Sequence, residues 1–106
     1  MARAEITRLG LVASMVGHTG DGNFHVGISV DHEDEDEMTR TREFAHKLNQ
    51  FALELDGTVT GEHGVGLGKM KYMAEEHGDA LSVMVDIKRT LDPQNIMNPG
   101  KMLPGN

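Results

Sequence analysis

The chain has 106 residues, a formal net charge of −7 and no cysteine, and 38% of its residues are hydrophobic. This length suits a single domain, the negative charge argues against a nucleic-acid partner, and the lack of cysteine excludes disulfides, zinc fingers and thiol catalysis. No apolar run is long enough for a transmembrane segment, so we expect a cytoplasmic protein. Eight methionines supply much of the apolar volume, and such an adaptable core favours a homo-oligomer or docking onto another domain.

The first third of the chain predicts a short helix followed by a β-hairpin. Met1–Arg8 is typical of the last turns of a helix, and Leu11–Val16 is a continuous apolar run typical of a buried strand. Phe24–Val30 alternates between apolar residues on a face to be packed and residues, His25 among them, on a face left to form a site. We therefore predict an antiparallel hairpin of Leu11–His18 with Phe24–Val30.

The segment that joins these strands, Gly17–His25, carries two histidines and three glycines. On one continuous strand His18 and His25, seven residues apart, would point to opposite faces. Asp21-Gly22 is a strong turn signal, because glycine adopts positive φ without steric cost. A turn at this dipeptide would bring the two imidazoles to face each other, where they can share a proton, a ligand or a metal ion.

A long helix is predicted after an acidic run. Asp31–Glu37 holds six acidic residues in seven. It lacks the glycine and ligand spacing of a calcium loop, so a solvated helix start, favoured by the helix dipole, is preferred over a divalent-cation loop. The helix should run from about Glu35 to Leu55, with Gly57 as a left-handed cap. Its predicted buried stripe consists of Phe44, Leu48, Phe51 and Leu55.

The second half predicts a short β segment and two helices. Thr58–Thr60 suits the β segment, and the glycine-rich residues 61–68 that follow do not match a dinucleotide-binding loop. One helix is expected over about Lys69–Glu76, and Asp79 then caps a final helix that ends before Asp92-Pro93. The buried stripe of the final helix is predicted to be Ala80, Met84, Ile87 and Leu91. The elements together predict an α+β fold, with antiparallel strands covered by two or three helices.

Three of the six histidines are set among glycines beside predicted strand ends, namely His18, His25 and His63. Glycine permits close approach of backbone or ligand, and functional groups concentrate on loops held by a rigid scaffold. The remaining three are expected to be surface residues: His32, His46 and His77.

Two histidines and one carboxylate form a common ligand set for a catalytic divalent metal. Glu62 is the natural carboxylate to join His18 and His25, whereas Asp21, at a turn tip, is expected to bond to its own backbone. Because neighbouring side chains on an extended backbone diverge, one of Glu62 and His63 would bind the metal while the other faced the substrate. The residues also permit a second interpretation, in which the histidines are hydrogen-bonded within glycine-rich turns and bind no metal.

Three segments resemble, in order and in spacing, three motifs of one protein family. They are GHTGDGNFH at Gly17–His25, GEHGVGLGK at Gly61–Lys69 and LDPQNIMNPGK at Leu91–Lys101. They resemble the C-terminal domain of the FAD-linked oxidases and dehydrogenases of D-2-hydroxy acids, which include the glycolate oxidase FAD-binding subunit, D-lactate dehydrogenase and D-2-hydroxyglutarate dehydrogenase. The resemblance covers nearly the whole chain. It implies that residues 1–106 are a partial ferredoxin-like substrate or cap domain, a C-terminal fragment whose N-terminal FAD-binding domain is absent from this sequence.

The resemblance also implies a metal site and a catalytic base. His18 and His25 match the two metal-binding histidines, and Glu62 matches the metal-binding carboxylate, for a divalent ion such as Zn, Mn or Fe. His63 matches the histidine thought to act as base. It would take the hydroxyl proton of a small D-2-hydroxy acid while the C2 hydride passes to FAD, a task that suits an imidazole near neutral pH.

Further residues are implied near the flavin and the substrate. Asn98 and Lys101 match the terminal motif that lies close to the flavin pocket in such enzymes. Some relatives carry a polar residue beside the substrate at the position of Gly27. The resemblance therefore does not decide whether the substrate is D-lactate, glycolate or D-2-hydroxyglutarate. Arg40 and Arg42, with the lysines of the second half, are the candidates in this sequence for binding the substrate carboxylate.

The function implied by the resemblance is oxidation of a D-2-hydroxy acid to the 2-oxo acid by the complete flavoenzyme, docked on its FAD-binding domain, while the fragment alone is inactive. Two alternatives use the same residues. One is a non-enzymatic, metal-binding and self-associating small subunit or regulatory module. The other is a hydrolytic metalloenzyme in which metal-bound water is the nucleophile.

Overall fold

The computed structural model describes residues 1–104, with the backbone alone at residue 19. The chain divides into two compact units, Met1–Gly57 and Thr58–Asn106. Four α-helices and one two-stranded antiparallel sheet form the regular structure of the described residues, which confirms the predicted α+β class. The assignment of the whole chain to one domain stays a prediction.

The first unit contains two helices and one hairpin, with the bounds α1 Ala2–Arg8, β1 Val12–His18, β2 Asn23–Ser29 and α2 Glu35–Glu54. A single 3₁₀ turn, Thr19–Asp21, and then Gly22, with a φ of 70°, connect the two strands. The predicted helices of this unit, its hairpin and its Asp21-Gly22 turn are therefore confirmed.

The core of the first unit lies between the hairpin and its two helices. Phe44 of α2 is 1% exposed and forms the centre of this core with Leu9 and Leu11. Val26 and Ile28 of β2 pack against the cluster, so alternate residues of β2 face the core, as predicted.

Two surfaces that were predicted to be buried are exposed. β1 is not a buried strand, because Val12 and Val16 belong to the face of the hairpin opposite to the core, and both are exposed. In the predicted stripe of α2, Phe44 is buried and Leu48 partly buried, whereas Phe51 and Leu55 are exposed. In both cases the apolar pattern is present but only part of it packs against another element of the unit.

Aspartates fix both ends of α2. At the start, Asp34 Oδ1 accepts the N–H groups of the second and third helical residues at 2.9 and 3.0 Å, in agreement with a helix start in the acidic run. At the end, Asp56 takes the left-handed conformation, with a φ of 56°. The predicted Gly57 cap is wrong, because aspartate tolerates this conformation as well. Gly57 instead permits close approach, since a Cβ there would lie 2.9 Å from the carbonyl oxygen of Ala52.

Charged side chains also join α1 to α2. Arg8 pairs with Glu5 and Glu43, and Lys47 lies 3.2 Å from both carboxylates. The hydrogen bonds from Arg8 hold the pKa of the Glu5 and Glu43 carboxyls below their usual value. Arg40 donates to the backbone carbonyl at the C-cap of α1 at 2.7 Å. Arg40, one of the two candidate arginines for binding the substrate carboxylate, is therefore hydrogen-bonded within this unit.

The second unit contains a 3₁₀ turn, Met70–Tyr72, followed by α3, Met73–His77, and α4, Ala80–Leu91. The helix break at Gly78, with a φ of 51°, and the end of α4 before Asp92 agree with the predictions. The buried hydrophobic residues of this unit are Val59, Tyr72, Met73 and Leu103.

Three predictions for the second unit are wrong. Thr58–Thr60 is not a strand, because the carboxylate of Glu76, rather than a neighbouring strand, accepts the N–H of Val59. Asp79 occupies the N-cap position of α4, but its side chain makes no capping hydrogen bond in the described structure. The apolar stripe of α4 is not buried within the described residues, and Leu91 is 78% exposed.

Asp92 joins the end of α4 to the tail that follows it. Its carboxylate accepts the N–H groups of Ile96 and Met97 at 2.9 Å each and forms an ion pair with Lys88. Lys88 and these two N–H groups lower the pKa of Asp92 to about 2. The sequence predicts only a helix stop at Asp92, whereas the structure shows Asp92 to be a nearly buried acceptor for the tail.

We expect Asp92→Asn to lower the midpoint of thermal unfolding near neutral pH, because it removes the ion pair with Lys88 and replaces one accepting oxygen with an amide group. The folded-state pKa lies below its ordinary value of 3.8, so the carboxylate contributes stability above that pH and loses it as the pH falls towards about 2. Thermal melts followed by circular dichroism across this range should show the two proteins converging at low pH. Asp86→Asn, at an exposed carboxylate on α4, is the control, and a gap that stays constant down to about pH 2 would contradict the assignment.

Candidate active site

The register of the hairpin places His18 and His25 on one face. His18 lies opposite Asn23, and Val16 lies opposite His25. Residues that are directly opposite share a face, as do residues two apart on one strand, so positions 18 and 25 are diagonal neighbours. A ring nitrogen of each imidazole lies within 4.8 Å of the other. The prediction that the turn brings these two imidazoles together is confirmed.

Gly17 permits the close strand contact beside His18. It lies opposite Phe24, and a Cβ added at residue 17 would be 2.5 Å from Phe24 Cα and would also overlap the carbonyl oxygen of Asn23. Both atoms belong to the backbone, which cannot move aside as a flexible side chain can. The glycine of this motif is therefore required by the approach of the strands.

Gly27 follows His25 by two residues and lies on the same face. It is opposite Ser14, and a Cβ at residue 27 would lie 3.2 Å from Ser14 Oγ. The hydroxyl of Ser14 thus occupies the space beside Gly27. A polar group is present at this part of the face, but it comes from the neighbouring strand.

Glu62 and His63 occupy the two central positions of a tight turn. The N–H of Gly64 donates to the carbonyl oxygen of Gly61 at 3.0 Å, and Gly64 has a φ of 74°. The expectation that the side chains of Glu62 and His63 diverge on an extended backbone is wrong, because Glu62 Oε1 lies 3.5 Å from His63 Nε2. The two side chains are 46% and 81% exposed, respectively, so both can reach a ligand from solvent.

Asn98 and Lys101 lie together in the tail. Asn98 takes the left-handed conformation, with a φ of 49°, and its carbonyl oxygen accepts the N–H of Lys101 at 3.3 Å. The backbone conformation alone favours asparagine at residue 98, because its short polar side chain tolerates positive φ. A contact of these two residues with the cofactor stays a prediction.

The donor chemistry of these elements suits a divalent metal. The hairpin of the first unit carries two imidazoles that lie close to each other, and the Gly61–Gly64 turn of the second unit carries a carboxylate. Imidazole binds zinc, iron and similar ions, and two histidines with one carboxylate leave coordination positions for water or substrate. The donor types of His18, His25 and Glu62 therefore fit a divalent metal, and the binding of one ion by all three stays a prediction.

Sequence analysis missed one acidic residue near this turn. Glu76 accepts hydrogen bonds from the segment that leads into Gly61. Glu75 precedes it in α3, and nothing in the local sequence distinguishes the two. The only available signal is periodicity, since Glu76 follows the buried Tyr72 and Met73 by four and three residues and so shares their face of the helix.

The described helices include none that has both the length and the apolarity to cross a membrane.

Comparison with known proteins identifies similar sequences over nearly the whole chain. The family described as FAD linked oxidases, C-terminal domain, matches residues 1–102. A mitochondrial D-lactate dehydrogenase [cytochrome] of Arabidopsis thaliana is 46% identical over 104 residues, which are 97% of this chain and 18% of that protein. A probable mitochondrial D-lactate dehydrogenase of Danio rerio is 47% identical over 102 residues, which are 95% of this chain and 20% of the relative.

A bacterial relative is also similar. The glycolate oxidase subunit GlcD of Bacillus subtilis is 42% identical over 87 residues, which are 81% of this chain and 18% of that subunit. The chain thus spans about one fifth of the length of the relatives that it matches.

We expect Gly17→Ala to destabilise the hairpin by about 1–3 kcal/mol, the usual cost of overpacking, because the new methyl group would overlap the backbone of Asn23 and Phe24. Gly20→Ala is the matched control, since a Cβ at residue 20 has no atom within 4 Å in the described structure. Urea unfolding of both variants measures the difference. Equal stabilities of the two variants would contradict the close approach at Gly17.

Proposed function

The chain belongs to the family of FAD-linked oxidase C-terminal domains, and we propose that it is the substrate-binding part of a flavoenzyme that oxidises a D-2-hydroxy acid to the 2-oxo acid. The observation that carries this proposal is the match over residues 1–102, which includes both histidine motifs. Because the chain spans about one fifth of its relatives, the activity is that of a complete enzyme. FAD would be bound mainly by a domain outside this sequence, on which this chain docks.

We propose D-lactate as the first substrate to test. The two relatives at 46% and 47% identity are named as D-lactate dehydrogenases, whereas the glycolate oxidase subunit is at 42%. Glycolate and D-2-hydroxyglutarate share the carboxylate and the 2-hydroxyl group with D-lactate and are the next candidates.

The plant and fish relatives are named as mitochondrial proteins. We therefore propose a mitochondrial location as an alternative to the cytoplasmic one predicted from the sequence.

We propose that His18, His25 and Glu62 hold a divalent metal, with Zn, Mn or Fe as candidates. The support is the donor chemistry of the three residues and the approach of the two imidazoles to within 4.8 Å. When bound, the ion would supply positive charge that favours ionisation of a substrate hydroxyl and fixes the orientation of the substrate. Exposure of His18 and partial exposure of His25 leave this part of the hairpin accessible to a ligand.

His63 is the proposed general base. It takes the proton of the 2-hydroxyl group, the hydrogen at C2 leaves with its electron pair, and the C–O single bond becomes the carbonyl of the 2-oxo acid. FAD, when bound, supplies the acceptor of that hydride. His63 suits proton transfer because its exposed imidazole lies next to the proposed ligand Glu62, which would place the base beside the substrate. Asn98 and Lys101 are proposed to contact the flavin.

The metal site is tested on the 106-residue chain itself. We expect wild type to bind Mn²⁺ or Zn²⁺ in isothermal titration calorimetry, and His25→Ala and Glu62→Ala to weaken binding at least about tenfold, because each removes a ligand. His32→Ala, at an exposed histidine outside the motifs, is the control for the loss of an imidazole. Unchanged affinity in both ligand variants would exclude the proposed site.

The role of His63 is tested in the complete enzyme with D-lactate and a reducible dye. His63→Gln should lower kcat by about 10²–10⁴-fold, the usual contribution of a positioned base, and should leave the metal content unchanged. His32→Ala should retain wild-type kcat. A His63→Gln enzyme with normal kcat would exclude this base.

The need for a second domain is tested on the 106-residue chain alone. When it is given FAD and D-lactate, the chain should not reduce the dye, and reduction would show that no second domain is needed.

A further inference from the structure

Glu76 connects α3 to the segment that leads into the Gly61–Gly64 turn. It lies near the end of α3, and its side chain is only 10% exposed. One carboxylate oxygen accepts the hydroxyl of Thr58, and the other accepts the N–H of Val59 at 3.2 Å. A single nearly buried carboxylate therefore holds two consecutive residues.

The hydroxyl of Thr58 extends this connection by one residue. Thr58 Oγ1 donates to Glu76 and also accepts the N–H of Thr60 at 3.0 Å. Between these bonds, the side chain of Val59 is buried. All three residues before Gly61 are thus fixed, although none of them belongs to a strand.

The glycines at the end of the turn and in the segment after it border open space. Cβ atoms added at Gly64, Gly66 or Gly68 would meet no atom within 4 Å in the described structure. The two functional side chains of the turn are exposed, and within the turn the backbone bond that closes it joins Gly64 to Gly61. The hydrogen-bonded backbone of residues 58–60 therefore contributes to the position of the turn.

We propose that Glu76 is a positioning residue for Glu62 and His63, acting through Thr58–Thr60; this inference rests on the proposed function of those two residues. Ligands and bases must be held to within roughly 0.5 Å of their working geometry. A carboxylate meets this need well, because hydrogen bonds to an ionised acceptor are stronger than those between neutral groups, and both of its oxygens are used here.

The ionisable residue that follows Glu76 in α3 does not form a hydrogen bond with its carboxylate. His77 Nε2 lies 3.8 Å from Glu76 Oε1, which is too long for a hydrogen bond. The hydrogen bonds of the Glu76 carboxylate to Thr58 and Val59 are therefore not shared with His77 in the described structure.

The test compares four variants of the 106-residue chain. Glu76→Gln keeps the shape of the side chain but removes its charge and one acceptor, and Thr58→Val removes the hydroxyl with little change of shape. Thr58→Ser keeps the hydroxyl, and Asp86→Asn removes one negative charge from an exposed position of the same unit.

Two measurements are made on each variant, namely Mn²⁺ affinity by calorimetry and amide hydrogen exchange of residues 59–62. Glu76→Gln and Thr58→Val should lower Mn²⁺ affinity about tenfold, the lower end of the effect of residues that orient metal ligands, and should accelerate exchange in this segment. Thr58→Ser and Asp86→Asn should behave as wild type. Wild-type affinity and exchange in Glu76→Gln would overturn the inference.

The same experiment separates this inference from the proposed metal site. If Glu62→Ala abolishes Mn²⁺ binding while Glu76→Gln matches Asp86→Asn, the metal site stands and the positioning role fails. If Glu62→Ala leaves Mn²⁺ binding intact, the proposed metal site fails, and with it the functional part of this inference. A purely structural role of Glu76 would lower the unfolding temperature without changing the affinity of the folded chain. If Glu76→Gln does not fold, Thr58→Val decides.

Discussion

The first unit depends on the antiparallel register of β1 and β2. Side chains alternate between the two faces of a sheet, so a shift of the pairing by one residue would exchange the faces completely. In the observed register, Val26 and Ile28 face α2, while positions 18 and 25 lie together on the other face. The contact of Gly17 with Phe24 helps to hold this register, because only glycine fits there without moving a backbone. Packing of the core and placement of the histidines therefore follow from one set of strand hydrogen bonds.

In the second unit, two side-chain carboxylates accept backbone N–H groups, as strand carbonyls do in the sheet of the first unit. Asp92 accepts two N–H groups of the tail after α4, and Glu76 accepts a hydroxyl and an N–H of the segment before Gly61. Both side chains are nearly buried. A buried backbone N–H needs an acceptor, and where no strand supplies a carbonyl, an ionised side chain can satisfy two donors. The irregular segments on either side of the short helices are ordered in this way.

The sequence predicts the features that local chemistry decides. The Asp21-Gly22 turn, the break at Gly78 and the alternation of β2 are set by residues within a few positions of each other. Burial is predicted less well, because a pattern shows which residues of a segment are apolar but not whether another element covers them. For this reason β1 and the stripe of α4 were expected to be buried and are exposed. Thr58–Thr60 resembles a strand in composition, but the N–H of its central residue, Val59, donates to the side chain of Glu76, which lies more than fifteen positions later in the chain.

In the candidate site, too, the sequence indicates the residues better than their arrangement. The candidate residues could be proposed from the sequence because the three motifs are distinctive, and their roles stay predictions. The arrangement of Glu62 and His63 was not predicted, since the expectation assumed an extended backbone. In the tight turn the two side chains approach to 3.5 Å, so a displacement of the turn as a whole carries both residues with it. What such a displacement alters is the position of the pair relative to every group outside the turn. For the proposed ligand Glu62 and the proposed base His63, the relevant constraint is therefore the backbone that enters at Gly61, and Glu76 of α3 accepts hydrogen bonds from that segment.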